Sequence, residues 1–209
     1  MRLPDPPLLV ISDRRQARQP LEQIAEAAFA SGCRWFSLRE KDLPQPQRQA
    51  LLAALVRLGR RFGATVTVHE DVAAAAAADA SGAHLPSAAD PRAARNLLPG
   101  RLIGASAHSA AEARSLIGAG ADYVTVSPVF LTASKPGYGP ALGLHGLAAI
   151  VAEVPGPVVA LGGITPDNAA ACRAAGAAGI ALMGEVMRAA DPRACVERLL
   201  RALSSDTAA

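Results

Sequence analysis

Asp122 to Gly139 read Asp-Tyr-Val-Thr-Val-Ser-Pro-Val-Phe-Leu-Thr-Ala-Ser-Lys-Pro-Gly-Tyr-Gly. Thr132, Ser134 and Lys135 place two hydroxyls and an ammonium close together, and Gly137 and Gly139 let a backbone approach a ligand. That inventory suits an anion, above all phosphate; it also suits an ordinary solvated loop, so the rest of the chain must decide. Comparable polar sets recur at Leu38-Arg39-Glu40-Lys41-Asp42, His69-Glu70-Asp71, His84, and Ser106 with His108. Gly162-Gly163-Ile164-Thr165-Pro166 and Met183-Gly184 can expose backbone N–H groups to a second phosphate. Two adjacent glycines also fit a plain strand-to-helix turn. Glu70 and Asp71 are the carboxylates best suited to Mg2+, a hard cation that uses few protein oxygens beside substrate phosphates. Asp71 equally suits a helix cap. The histidines show no His-x-x-x-His spacing, which argues against imidazole metal ligation. His84, inside a short strand, reads as a core residue, His108 at a strand end as a site candidate, and His145 as surface. Glu40 reads as the partner of a basic neighbour.

These positions converge only if the elements that carry them repeat. Short strand-like runs are expected over 8–11, 35–40, 65–68, 83–85, 102–107, 123–126, 157–161 and 179–183. Between them, helical spacing or capping signals mark 21–30, 51–62, 72–80, a start at Asp90-Pro91, 109–117, 144–151, 165–176 and 191–203. The strands are continuous apolar runs, as in parallel sheets buried on both faces. Regular strand–helix units without interruption favour a closed (β/α)8 TIM barrel over an open doubly wound sheet. The expectation is one barrel domain over 1–209, with its core about 8–203. In that fold the active site lies at the C-terminal strand ends, where the polar sets fall. Arg39 and Lys41 can then join the Thr132–Lys135 loop in one anion site facing a second at the glycine turns. Two such sites across one mouth imply two phosphorylated substrates or one bisphosphate.

Composition excludes several classes. The chain has 209 residues, 51% hydrophobic and 19% charged, which suits a compact globule rather than disorder. Aromatics are 3% and net charge is +3, so stacking platforms and a basic footprint for nucleic acid are both lacking. No apolar run reaches membrane-spanning length and no signal-peptide pattern opens the chain, so a cytoplasmic protein is expected. Cys33, Cys172 and Cys195 are odd in number and far apart, which suits a reducing compartment. Ala-rich outer helices permit a homodimer.

The chain resembles the thiamine-phosphate synthase and thiazole tautomerase superfamily over nearly its whole length. The resemblance rests on Leu38–Asp42, Gly104-Ala105-Ser106-Ala107-His108-Ser109, Gly120–Val124, Pro128–Lys135 and Leu161–Thr165 in this order. For a synthase it implies condensation of hydroxymethylpyrimidine pyrophosphate with thiazole phosphate, giving thiamine phosphate and pyrophosphate. The pyrimidine would ionise to a stabilised cation before the thiazole nitrogen attacks. It implies that Arg39, Lys41, Ser106, Thr132, Ser134 and Lys135 serve the pyrophosphate and pyrimidine end. Gly162, Gly163, Met183 and Gly184 would hold the thiazole phosphate. Ser37 stands where the family has a pyrimidine-contacting Gln, and His69-Glu70-Asp71 replaces Asn-Asp-Arg. Ala89 stands where the second Mg2+ ligand belongs, with Asp90 one residue later; Glu70 and Asp90 are the expected metal pair. Leu85-Pro86-Ser87 is closer to the tautomerases, yet Pro128 stands where they carry their acid–base His. Tautomerase activity, with His69 or His108 moving the proton, and a non-catalytic phosphate-binding module are the alternatives.

Overall fold

In the computed structural model, which describes residues 2–132 and 140–204, eight strands close into a parallel barrel. They are β1 (Leu8–Ile11), β2 (Trp35–Leu38), β3 (Thr65–His69), β4 (Gly82–Leu85), β5 (Leu102–Ala107), β6 (Tyr123–Val126), β7 (Val158–Leu161) and β8 (Gly179–Leu182). Each pairs with the next, and β8 returns to β1 through Leu9 opposite Ala181. The helices are α1 (Leu21–Ala30), α2 (Gln45–Arg61), α3 (Val72–Ala77), α4 (Pro91–Leu97), α5 (Ala110–Gly118), α6 (Gly143–Glu153), α7 (Ala169–Ala174), α8 (Gly184–Met187) and α9 (Pro192–Ser204). None of the described helices is long and apolar enough to cross a membrane.

Strand alternation explains how so few aromatic residues build the interior. Leu8, Val10, Phe36, Leu38, Val66 and Val68 face outward into the layer shared with the helices. Their alternates Leu9, Ile11, Trp35, Leu102, Tyr123, Val159 and Ala181 fill the barrel itself. Above this apolar plug the same parity continues with polar residues. Ser37, Thr67, His84 and Thr125 are all buried, and Thr67 Oγ1 donates to Ser37 Oγ at 2.8 Å. A barrel interior filled in layers is a packed core, so its top layer forms the floor of whatever lies at the mouth.

Two expectations change in detail, and one element is new. α2 begins at Gln45 rather than 51, because its first turn is polar and shows no apolar stripe, although Pro46 sits in the first turn where proline is tolerated. Thr165-Pro166 opens a turn instead of a helix. The Asn168 side chain accepts from Thr165 N at 2.9 Å and donates to Gly163 O at 3.0 Å, delaying α7 until Ala169. The one-turn α8, directly after β8, gave no periodic signal.

Candidate functional site

A cavity of about 410 Å³ opens at the C-terminal ends of the strands. One wall comes from the segments after β2 and β3. The backbone N–H of Arg39 donates to Ser12 Oγ at 2.8 Å, and Ser12 Oγ in turn donates to buried Glu40 at 2.7 Å. Glu40 also accepts from Arg14 N at 3.1 Å and pairs with the Arg14 guanidinium at 3.7 Å. Burial raises the Glu40 carboxyl above its ordinary range, against the pull of these donors. Glu40 thus pairs with a basic neighbour, as the sequence suggested, and through Ser12 it also fixes the backbone from which Arg39 enters the cavity. The Arg39 guanidinium is half-buried there, and no hydrogen bond or ion pair engages it among the described residues. A planar cation with five donors and no protein partner is suited to an anionic ligand.

Lys41 and Glu70 line the same wall and pair with each other. Glu70 has a positive φ of 66°, a conformation that costs a non-glycine residue about 1–2 kcal/mol. Its N–H is held by His84 O at 2.9 Å, so the carboxylate stands at the mouth on a strained backbone. Asp71 beside it caps α3 through Ala74 N at 2.9 Å and pairs with Arg48 at 2.8 Å.

The floor and far wall are polar in a more ordered way. His84, fully buried, reaches Tyr123 OH through Nδ1 and Ser106 Oγ through Nε2, each at 3.0 Å. Desolvation, with the Arg39 charge nearby, pushes its pKa down to about 3. His69 stacks on it with ring centroids 4.6 Å apart and lines the cavity. His108 lies at the rim, its Nδ1 donating to Ser127 O at 3.1 Å. Thr132 lines the cavity, whereas Ser134 and Lys135 lie outside the described residues.

Gly162 and Gly163, with φ of 98° and 63°, form the opposite wall with Met183 and Gly184. A Cβ on Gly163 would lie 2.5 Å from Leu131 O, and one on Gly162 would lie 2.9 Å from Pro128 Cα. Both glycines therefore admit the segment after β6, which binds β7 through Val129 N to Leu161 O at 2.9 Å and Phe130 N to Gly162 O at 3.0 Å. Leu142 N and Gly143 N then return to Pro128 O and Val129 O, both at 2.9 Å. Residues 128–130 and 142–143 are consequently tied together beside the glycine turn.

Two expected site residues are corrected. Ser37 is not in the cavity wall: it faces the barrel interior, has no exposed surface and is bonded to Thr67. Asp90 is not beside Glu70 in the cavity; it caps α4, accepting from Arg92 N at 3.0 Å. Among the described residues no group of three His, Cys, Asp or Glu side chains is arranged to hold a metal. Glu70 is the member of the expected pair that lines the mouth. Sequence reading missed Arg188, which lines the cavity after α8 and is held by Gln16, itself bonded to Asp13 at 2.6 Å. An unforeseen one-turn helix left no signal for it. The Tyr123–His84 contact could have been found, since both residues share inward parity with Ser106.

A family model described as thiamine monophosphate synthase matches residues 8–186. A putative thiamine-phosphate synthase of Geobacter sulfurreducens is 43% identical over 203 residues, covering 96% of this chain and 95% of that protein. The thiamine-phosphate synthase of Moorella thermoacetica is 40% identical over 193 residues, covering 91% and 92%. Among solved structures, a thiamine phosphate pyrophosphorylase from Pyrococcus furiosus aligns with a TM-score of 0.87 at 34% identity, covering 96% of each chain.

Proposed function

Since the chain belongs to the thiamine monophosphate synthase family, we infer that it is a transferase of thiamine biosynthesis. It condenses hydroxymethylpyrimidine pyrophosphate with thiazole phosphate, giving thiamine phosphate and pyrophosphate. The observation that carries this reading at the site is the Arg39 guanidinium, unengaged among the described residues, in one cavity with the glycine turns. A cationic wall and a backbone-donor wall accommodate two phosphorylated groups at once, which a tautomerase with one phosphorylated substrate does not need.

The division of labour follows from charge. Arg39, Lys41, Ser106 and Thr132, with Ser134 and Lys135 of the adjoining loop, hold the pyrophosphate. Backbone N–H groups at Gly162, Gly163, Met183 and Gly184 hold the thiazole phosphate. In the ionising route that the family resemblance implies, the bond from the pyrimidine methylene carbon to the pyrophosphate oxygen breaks first. Negative charge then accumulates on the departing group, where fixed donors and cations in a water-poor cavity stabilise it most. The thiazole nitrogen, held by its phosphate, next forms the carbon–nitrogen bond to the same methylene; its main requirement is orientation. His69 and His108 border the space between the walls and contact the organic parts of the substrates.

For Mg2+, which one or two carboxylates hold together with substrate phosphates, Glu70 fits as the protein ligand. Once bound, the ion supplies neutralising charge to the pyrophosphate. Lys41, which pairs with Glu70, would then be free to turn toward the same anion. We further propose a cytoplasmic homodimer, whose oligomeric state light scattering reports.

Purified protein given both substrates and Mg2+ should accumulate thiamine phosphate and pyrophosphate in equal amounts. Folded protein that yields no thiamine phosphate above background would contradict the reading. Turnover of a thiazole tautomer substrate in the same preparation would favour tautomerase instead. Lys135→Ala should abolish synthase turnover while leaving thiazole-phosphate binding largely intact.

A further inference from the structure

Beneath the cavity a chain of three polar side chains runs upward from the apolar plug. Tyr123 is fully buried among Leu9, Trp35 and Val159, with the Trp35 ring edge-on at a centroid distance of 4.8 Å. Its ring occupies the space left by Gly104, where a Cβ would lie 2.0 Å from Tyr123 Cζ and 2.4 Å from its oxygen. The neighbouring strand therefore carries glycine at the place where the phenol must pass. Among the described residues the one hydrogen-bond partner of the hydroxyl is His84 Nδ1, at 3.0 Å. The other ring nitrogen, Nε2, lies 3.0 Å from Ser106 Oγ and 3.3 Å from Thr125 Oγ1.

The hydrogen count selects one arrangement. A buried phenol that donates to nothing loses a strong hydrogen bond, and Nδ1 is its available acceptor. Nδ1 then carries no proton. The buried ring meets hydroxyls and no carboxylate among the described residues, so it is neutral and its single proton sits on Nε2. That proton points to Ser106 Oγ, with Thr125 as the longer, shared acceptor. Ser106 lines the cavity beside the edge of the His84 ring, whereas Tyr123 does not reach it. With its oxygen accepting from His84, its own proton turns away from the imidazole, and with no other hydrogen-bond partner among the described residues the cavity is where it can donate.

We propose that Tyr123 and His84 are positioning residues that hold the Ser106 hydroxyl as a dedicated hydrogen-bond donor to the anionic substrate in the cavity. This rests on the assignment of Ser106 to the pyrophosphate end. A serine whose hydroxyl can rotate presents a lone pair to an oxyanion part of the time; one fixed by His84 does not. The benefit is preorganisation: the donor is aimed before charge develops on the departing group. Gly104 serves the same device by admitting the tyrosine ring.

A double-mutant cycle tests the relay, with turnover and the affinity for inorganic pyrophosphate as readouts. Ser106→Ala should lower kcat/KM about 10- to 100-fold, as expected for a lost hydrogen bond to a charged group. Tyr123→Phe, which keeps the ring and its packing, should lower it about 3- to 10-fold. In the Ser106→Ala background, Tyr123→Phe should cost almost nothing more, because its effect passes through the missing hydroxyl. Full additivity of the two losses would overturn the relay and leave Tyr123 a purely structural residue. If Ser106→Ala alone changes neither readout, the assignment of Ser106 to the pyrophosphate fails, and the relay with it. A drop for Ser106→Ala with none for Tyr123→Phe would sink the relay alone. Nitrogen-15 spectra of the wild-type protein give a reading independent of activity. They should show His84 as the neutral Nε2–H tautomer, and an Nδ1–H or doubly protonated ring would contradict the proposal.

Discussion

Arg39 keeps a positive charge half out of water with no carboxylate paired to it among the described residues, although Arg14, Arg48, Arg60 and Arg95 all find one. Holding a cation in that state costs stability, so its benefit must come from a ligand. Arg39→Ala should therefore lower kcat/KM by about tenfold to a hundredfold while leaving the melting temperature unchanged or raised, as steady-state kinetics and thermal unfolding will report. Arg39→Lys should recover little of it, because a point charge does not reproduce the planar fork. His84 gives a second prediction at this scale. Its folded pKa of about 3 lies below the ordinary 6.5, so the unfolded chain takes up the proton first as pH falls. Its stabilising contribution is whole above pH 6.5 and declines as pH falls toward 3, at a slope approaching about 1.4 kcal/mol per pH unit. Denaturant unfolding at about pH 7 and about pH 5.5 should show this loss, and His84→Gln should flatten it. Glu40, whose carboxyl pKa burial raises, acts in the opposite sense, so the difference between wild type and His84→Gln isolates the histidine's share.

At the scale of elements, the turn after β7 decides whether the two walls of the cavity stay in register. Gly163 adopts a left-handed φ and leaves no room for a Cβ beside Leu131 O and Phe130 Cβ. Gly163→Ala should cost about 2 kcal/mol or more and raise KM for thiazole phosphate more than for the pyrimidine substrate. Asn168→Ala removes two hydrogen bonds that brace this turn and should raise the same KM with a smaller loss of stability, about 1–2 kcal/mol. Most strands were legible to within a residue or two, because runs such as Leu8–Ile11 and Tyr123–Val126 are apolar on both faces and end at turn residues. The start of α7 was not: Thr165-Pro166 carries a good local cap-and-proline signal, yet the Asn168 side chain takes the N–H of Thr165 and the turn is used to hold Gly163. Local chemistry at that point serves the cavity instead of the helix. The four-residue α8 is too short to show a period.

For the whole molecule, one barrel brings residues far apart in the chain to a single mouth, and this convergence could be read in advance. Strand–helix repetition fixed which residues sit at strand ends, so Arg39, Lys41, Glu70, Ser106, Thr132 and the two glycine turns fell together as expected. What sequence order could not supply was depth. Ser37 lies one layer too low, sealed by Thr67, and Asp90 lies one turn too far out, absorbed as the cap of α4. Arg188 comes into view only when α8 folds the chain back over the cavity. The proposed reaction requires two separate anion sites at this mouth, one on the Arg39 wall and one on the glycine turns. Titration calorimetry of inorganic pyrophosphate, run in the presence of Mg2+ and with or without saturating thiazole phosphate, tests it directly. One pyrophosphate should bind per chain in both titrations, with like charge lowering the affinity but not the stoichiometry. Complete displacement of one anion by the other would contradict it.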